Sequence, residues 1–313
     1  MGIAPDLGAA VSAARRLVAA AAVSLGWSLA AGPAQAELYY LIVGGHGGDP
    51  GYEEAFAEAA ADMAAAAERT LGTDQRITVL TGDGATREAL RAVLADYAAN
   101  LTAADRIAVF LIGHGSHDGQ EYKFNLTGPD INDVEFAELL TAVPARSQLV
   151  VNGSSASGAV LESWTADGRA LITATRNGRE RNATRFAEHW AAALSAADAD
   201  INKNGSISVQ EAFDYAARLV AESYESEGAL ATEHPEIRGD ATGAFEIARL
   251  EERVATSAAV ASLNQRKTQL EEQIASLRLR REELGDDYLP QLQSLAVELA
   301  LVQQQIDAEV AEP

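Results

Sequence analysis

The stretch RIAVFLIGHGSHDG, residues 106–119, decides the fold. Ile107 through Ile112 are all apolar, and the run stops at Gly113. A strand with one face in water would alternate apolar and polar residues; an unbroken run belongs to a strand covered on both sides. Four more runs of this kind occur, at 38–44 (LYYLIVG), 76–81 (RITVLT), 147–152 (SQLVVN) and 169–174 (RALITA). Ala- and Glu-rich helical patterns lie near 53–70, 87–100, 133–142 and 183–196. Strand and helix in alternation predict an α/β fold, a mostly parallel sheet with helices on both faces. Ligands of such sheets bind beyond the carboxyl ends of the strands. His114, Gly115 and the serines at 154 and 155 all follow strand ends.

The 313-residue chain has a formal charge of −22 and is 48% hydrophobic, enough for a sizeable core. That charge excludes nucleic acid as a partner and disfavours anionic lipid, both of which call for basic patches. The chain contains no cysteine, so it has no disulfide, no zinc-thiolate site and no thiol nucleophile. Its five histidines lack paired zinc spacing.

Residues 1–36 read as a signal peptide, with Arg15 and Arg16, an apolar stretch at 17–32 and the cleavage site Ala34-Gln35-Ala36. The expectation is an exported protein, periplasmic or secreted, starting at Glu37, with no membrane span after cleavage; an uncleaved anchor is the alternative reading. The main domain is expected over 37–245. In 249–312, Val260, Leu263, Lys267, Leu270, Ile274, Leu277, Arg281 and Leu284 are spaced by threes and fours. Gly285 to Pro290 interrupts the pattern, and Leu292, Leu295, Leu299, Val302 and Ile306 resume it. This predicts a helical hairpin or coiled coil, serving either as an oligomerisation or partner arm or as an appendage folded on its own domain.

Residues 200–211, DINKNGSISVQE, meet every constrained position of an EF-hand-type calcium loop. Asp200, Asn202 and Asn204 fill positions 1, 3 and 5, and Gly205 supplies the turn. Ser206 would offer its carbonyl, Ser208 a water-mediated contact and Glu211 two carboxylate oxygens. With Lys203 inside the loop and no second loop to pair with, the expected Ca2+ affinity is weak, on the order of 10⁻⁴ M, and the expected role structural.

The chemistry-bearing strand ends are His114-Gly115 after 106–112 and Gly153-Ser154-Ser155 after 147–152. A histidine and a hydroxyl on neighbouring strand ends make a base–nucleophile pair, and adjacent glycines let backbone N–H groups face an oxyanion. His46, in GGHGGDPG, sits at the edge of this region as a substrate contact or as part of a Gly-rich turn.

On the His114-Gly115-Ser116 motif, the order of the strands and the stretch ITATRNGRERNAT (172–184), the sequence resembles the legumain family of caspase-fold peptidases over roughly residues 38–225. The resemblance implies His114 as general base, Gly115 as an oxyanion donor, a peptide or protein substrate, and a pocket formed partly by 172–184, including Thr175. The family's cysteine is replaced: counting from the strand puts Ser154 there, and counting back from Ser157-Gly158 puts Ser155 there. Asn152 stands where the family has an acidic residue, and Glu53 and Glu54 where it has Arg-His, so asparagine specificity does not carry over. Three functions follow: a serine peptidase or transpeptidase, a peptide-binding pseudopeptidase, and a calcium-stabilised structural protein of the cell envelope.

Overall fold

A computed structural model describes residues 36–239, 245–251, 258–279 and 281–311. The expected signal peptide, apart from Ala36, lies outside them. The elements run β1 (Leu38–Gly44), α1 (Pro50–Leu71), β2 (Ile77–Leu80), α2 (Arg87–Asn100), β3 (Arg106–Ile112), β4 (Gly115–His117), β5 (Tyr122–Phe124), β6 (Ile131–Asn132), α3 (Asp133–Ala142), β7 (Ser147–Asn152) and β8 (Arg169–Thr173). There follow α4 (Phe186–Ala193), β9 (Ser206–Ser208), α5 (Val209–Ser226), β10 (Glu236–Arg238), β11 (Glu246–Arg249), α6 (Ala258–Leu279), α7 (Arg281–Leu284) and α8 (Tyr288–Ala311).

The protein is mixed α/β with a mostly parallel central sheet, ordered β10-β8-β7-β3-β1-β2. Only β10, on the edge, runs antiparallel. Gly44 pairs with Ile112, Leu111 with Asn152, and Asn152 with Thr173. The carboxyl ends of β1, β3, β7 and β8 therefore lie level, and the segments leaving them emerge side by side.

Side chains pointing to alternate faces of the sheet explain the unbroken apolar runs. Tyr40, Ile42, Ala108 and Phe110 pack with residues of α1, α4 and α5. Leu41, Val43, Val109 and Leu111 pack on the other face with residues of α2 and α3. Asp49 caps α1 through Gly51 N and Tyr52 N, Pro50 occupies its first position, and Gly72 closes it in the left-handed conformation at φ 67°.

Short strands complete the body. The sheet β4-β5-β6 rises from the end of β3, and β11 pairs antiparallel with β9. Phe245, Ile247 and Ala248 are buried in the first core, and Tyr40 donates its hydroxyl to Ile247 O at 2.7 Å. The body thus extends through β11, past the boundary expected at 245.

In the C-terminal hairpin Leu270, Val302 and Ile306 form the buried seam, with Leu263, Leu295 and Leu299 beside it, so α6 and α8 are each other's partner. Arg266 bridges to Glu298 across the pair. Lys267 is half-buried and Arg281 lies over the Tyr288 ring. The side chain of Val260 lies outside the described residues. Among the described residues no helix is long and apolar enough to cross a membrane.

Candidate active site

In this sheet the chain moves outward in opposite directions from β1 and β3, and the crevice beyond their carboxyl ends is where such folds take ligands. The loop leaving β1 is Gly45-His46-Gly47-Gly48. A side chain at Gly45 would meet Asn125 O at 2.4 Å, and one at Gly47 would meet Glu53 N at 2.6 Å, so glycine lets this loop lie flat on its neighbours. Glu53 accepts from Gly47 N at 2.9 Å and pairs with His46 Nδ1 at 2.9 Å. His46 is exposed at the rim, and its side chain is held by Glu53.

His114 leaves β3 with its ring edge-on to Tyr52, centroids 4.5 Å apart, and to Phe56, 5.1 Å apart. Burial in this aromatic setting lowers its pKa, opposed by a hydrogen bond to the Gly47 backbone and by the Asp49 carboxylate. The neutral imidazole, the form a general base needs, is thereby favoured. Asp118 does not orient it: its carboxylate accepts from Gln120 N and Glu121 N within its own turn.

Gly115 brings the ends of β3 and β7 together. A Cβ there would fall 2.5 Å from Ser155 O and 2.6 Å from Ser154 Oγ. The two serines differ sharply. Ser154 is fully buried; its hydroxyl lies 2.6 Å from Tyr122 Oη and donates to Asn152 Oδ1 at 2.8 Å. Asn152 Nδ2 donates back to Tyr122 Oη at 2.9 Å, and burial pushes the phenol pKa up to about 12. Ser155 is 3% exposed, and its hydroxyl makes no hydrogen bond among the described residues. Nor does a hydrogen bond there join His114 to either serine.

Asn152 and Thr175, expected to touch substrate, are fully buried and bonded inward. Asn152 anchors the Ser154 network. Thr175 Oγ1 accepts from Gly158 N at 2.8 Å, and Ser157 Oγ accepts from Thr175 N at 3.2 Å. Their place is beneath the site, holding the serine loop to the loop after β8. That second loop is pinned at two more points: Ala156 N donates to Glu180 O at 2.7 Å and Thr184 Oγ1 to Gly153 O at 2.5 Å.

Several residues of this region were not singled out from the sequence. Tyr122 lies on a three-residue strand too short to show periodicity. Glu180 pairs with His234 Nδ1 at 2.7 Å and Arg176 Nε at 2.9 Å, bringing together segments 54 residues apart in one case. His189 has a buried Nε2 without a hydrogen-bond partner among the described residues. Glu233 is 2% exposed and accepts from Arg185 N through both oxygens, at 2.9 and 3.0 Å.

Burial pushes the Glu233 carboxyl up to about 7, with Glu180 adding to the shift and the Arg185 charge and the backbone bonds from Arg185 and Phe186 opposing it. The folded form therefore holds this proton more tightly than the unfolded chain, where the ordinary value is 4.5. The associated stability is present below that ordinary value and is lost as pH rises through the folded one, by roughly 1–3 kcal/mol. Melting temperature measured from pH 4.5 to 7.5 should fall more steeply in the wild type than in Glu233→Gln; parallel profiles would disprove the assignment.

The loop 200–211 is a tight wrap of oxygens. Asp200 accepts from Asn204 N and Gly205 N, and Asn204 Oδ1 accepts from Ser206 N at 2.8 Å. Asn202 Oδ1 also accepts from Asn204 N, at 3.0 Å. Glu211 reaches back over the loop to Ile201 N at 3.1 Å and bonds Ser208 reciprocally as a capping box. Lys203 and Gly205 take positive φ, 58° and 77°. The Lys203 ammonium turns away to Ala197 O at 3.2 Å, leaving the carboxylates of Asp200 and Glu211 uncompensated by it. Ile207 pairs with Ala248, so β11 supplies the strand that a second loop would otherwise provide. The all-oxygen donor set fits a hard cation such as Ca2+. Among the described residues no three His, Cys, Asp or Glu side chains cluster as a metal site; this loop brings two carboxylates and neutral oxygens.

No family model matches the chain, and no curated protein matches it. Among solved structures it is similar to protein GSU0716 from Geobacter sulfurreducens, with 18% identity, 69% of this chain and 97% of that chain covered and a TM-score of 0.46. It is also similar to the Drosophila initiator caspase Dronc, with 9% identity, coverage of 66% and 79% and a TM-score of 0.36. Both scores lie below 0.5, and the fold assignment rests on the sheet itself.

Proposed function

We propose that this chain is an exported peptidase of caspase-like architecture, related to the legumain family, in which Ser155 is the nucleophile and His114 the base. The observation that carries the reading is the contrast between the serines: Ser154 is locked to Tyr122 and Asn152, whereas the Ser155 hydroxyl makes no hydrogen bond among the described residues. In the reaction the imidazole takes the Ser155 proton as Oγ bonds to the peptide carbonyl carbon. The Gly115 N–H faces the resulting oxyanion, and the imidazolium returns the proton to the leaving amine as the C–N bond breaks. Water, deprotonated by the same imidazole, then hydrolyses the serine ester. A hydroxyl depends on its base far more than a thiol does, so His114 must close onto Ser155 when peptide binds.

A second reading is favoured by one observation, the absence of a His114–serine hydrogen bond among the described residues: a pseudopeptidase that holds a peptide without cutting it. A fluorophosphonate probe separates the two. Covalent labelling mapped to Ser155 by mass spectrometry, and lost in His114→Ala, supports the peptidase; peptide binding with no adduct supports the binding module.

The loop 200–211 is proposed as a structural Ca2+ site, supported by its oxygen-only donors and its packing against β11. At about 10⁻⁴ M affinity, 5 mM Ca2+ stabilises by about 2 kcal/mol, raising the melting temperature by about 4–8 °C. The shift should vanish in Asp200→Ala; an identical melt in Ca2+ and in chelator would remove the site from the model of function.

A further inference from the structure

The residue directly after Ser155 has a strained backbone. Ala156 takes φ 56° and ψ 11°, the left-handed region that a Cβ disfavours, and it is fully buried. Such a conformation persists only where the surroundings over-determine it. Here the bonds come from the loop after β8. Ala156 N donates to Glu180 O at 2.7 Å, and on the other side of the serines Thr184 Oγ1 donates to Gly153 O at 2.5 Å. The peptide planes before Ser154 and after Ser155 are therefore both tied to one loop. Across the trans peptide the Ser155 carbonyl points away from Glu180 and toward Gly115, where a Cβ would lie 2.5 Å from it.

That loop is fixed in turn from a segment distant in the chain. The Glu180 carboxylate gathers four donors: Arg176 N at 3.1 Å, Arg176 Nε at 2.9 Å, His234 N at 3.2 Å and His234 Nδ1 at 2.7 Å. Arg185, next to Thr184, donates its backbone N–H to both oxygens of Glu233, at 2.9 and 3.0 Å. Its guanidinium pairs with both oxygens of Glu227, each at 2.7 Å, and lies over the Tyr224 ring. Segment 227–234, between α5 and β10, thus holds both residues that hold the serine turn. It reaches Glu180 through the His234 side chain and Thr184 through its neighbour Arg185.

We propose that Glu180 and Thr184 are positioning residues for Ser155, and that His234 acts with them by fixing Glu180, so that the strained turn presents the hydroxyl in its reactive place. This inference rests on the peptidase reading of the site. No proton and no bond passes through the three residues. Their effect is geometric: a nucleophile attacks from about 3–3.5 Å, and a misplacement of about 1 Å costs on the order of 10²-fold in rate. The backbone carbonyl of Glu180 makes the contact, and the His234 side chain is the part that a substitution can remove.

The test is the rate of covalent labelling of Ser155 by a fluorophosphonate in the full chain, measured against probe concentration so that probe affinity separates from the bond-forming rate. Thr184→Val removes the hydroxyl at nearly constant volume. It should slow bond formation by about tenfold or more and leave probe affinity within about twofold, while Thr184→Ser should stay within about threefold of the wild type. His234→Ala should slow the same step by about fivefold or more. His234→Asn, whose amide nitrogen can stand where Nδ1 stands, should recover most of that loss. Melting temperatures taken beside each rate separate positioning from unfolding. Should Thr184→Val fail to fold, the His234 pair decides, because that side chain is 39% exposed. An unchanged bond-forming rate in either folded variant, or a loss that the conservative partner does not restore, overturns the proposal while leaving Ser155 as the nucleophile. A wild-type chain that is never labelled overturns the peptidase reading and this proposal with it.

Discussion

His114→Ala and Ser155→Ala should each abolish peptide turnover, by on the order of 10³-fold or more, and the double variant should be no worse than either single one. In the proposed mechanism the two groups act as one unit, because a hydroxyl without its base and a base without its hydroxyl are equally idle. Ser154→Ala should behave differently. Its hydroxyl is fully buried between Tyr122 and Asn152, which also bond each other at 2.9 Å. Removing it costs about 1–3 kcal/mol of stability through a weakened buried network and lowers the rate only modestly. The kcat/KM profile adds a second check. Desolvation holds His114 below its ordinary 6.5, so activity should rise with pH through a midpoint under that value and be on its plateau at neutrality. Loss of turnover in Ser154→Ala with Ser155→Ala active would reverse the assignment of the nucleophile, and a midpoint above 6.5 would contradict the environment described for the base.

Gly158→Ala should cost more stability than any other single methyl group in the serine loop. Its Cβ would sit 2.1 Å from Asn177 N, 2.3 Å from Arg176 C and 2.4 Å from Thr175 O. All three are backbone atoms, so no side chain can swing aside, and the loop after β8 must lift off the serine turn. That breaks the Gly158 N–Thr175 Oγ1 bond and strains the Ala156 N–Glu180 O bond. A loss of about 3 kcal/mol, or about 6–12 °C in melting temperature, is expected. Gly84→Ala is the control, since a Cβ there meets nothing within 4 Å, and its melt should match the wild type. A Gly158→Ala protein melting within a degree of the wild type would show that the two loops are not pinned as described.

The same contacts separate what was legible in the sequence from what was not. The strand runs at 38–44, 106–112 and 147–152 coincide with β1, β3 and β7, because burial on both faces leaves an apolar signature that needs no tertiary information. Helices 87–100 and 133–142 were readable too, from their Ala- and Glu-rich patterns, and the structure adds Thr86 and Asn132 as their caps. The strands β4, β5, β6 and β10 left no such mark. At two or three residues each, they are strands only because of what they pair with. In the hairpin the spacing marked which side chains face a seam, and only the packing of α6 on α8 assigned the partner.

The choice between Ser154 and Ser155 shows the division most clearly. The sequence by itself determined that a histidine and two hydroxyls follow neighbouring strand ends, that no thiol is present, and that one loop carries calcium-type oxygens at the right intervals. Those are properties of residue type and local spacing. Which hydroxyl is spent on structure was decided by Tyr122, 32 residues upstream of Ser154, folding back on β5 to place its phenol 2.6 Å from Ser154 Oγ. Asn152 and Thr175 were likewise turned inward by partners distant in the chain or across the sheet, and the loop after β8 was tied to the serine turn by a backbone bond from Ala156 N to Glu180 O. Local pattern encodes which groups are available; long-range packing consumes some of them in hydrogen bonds, and the groups left over are those on which the proposed function draws.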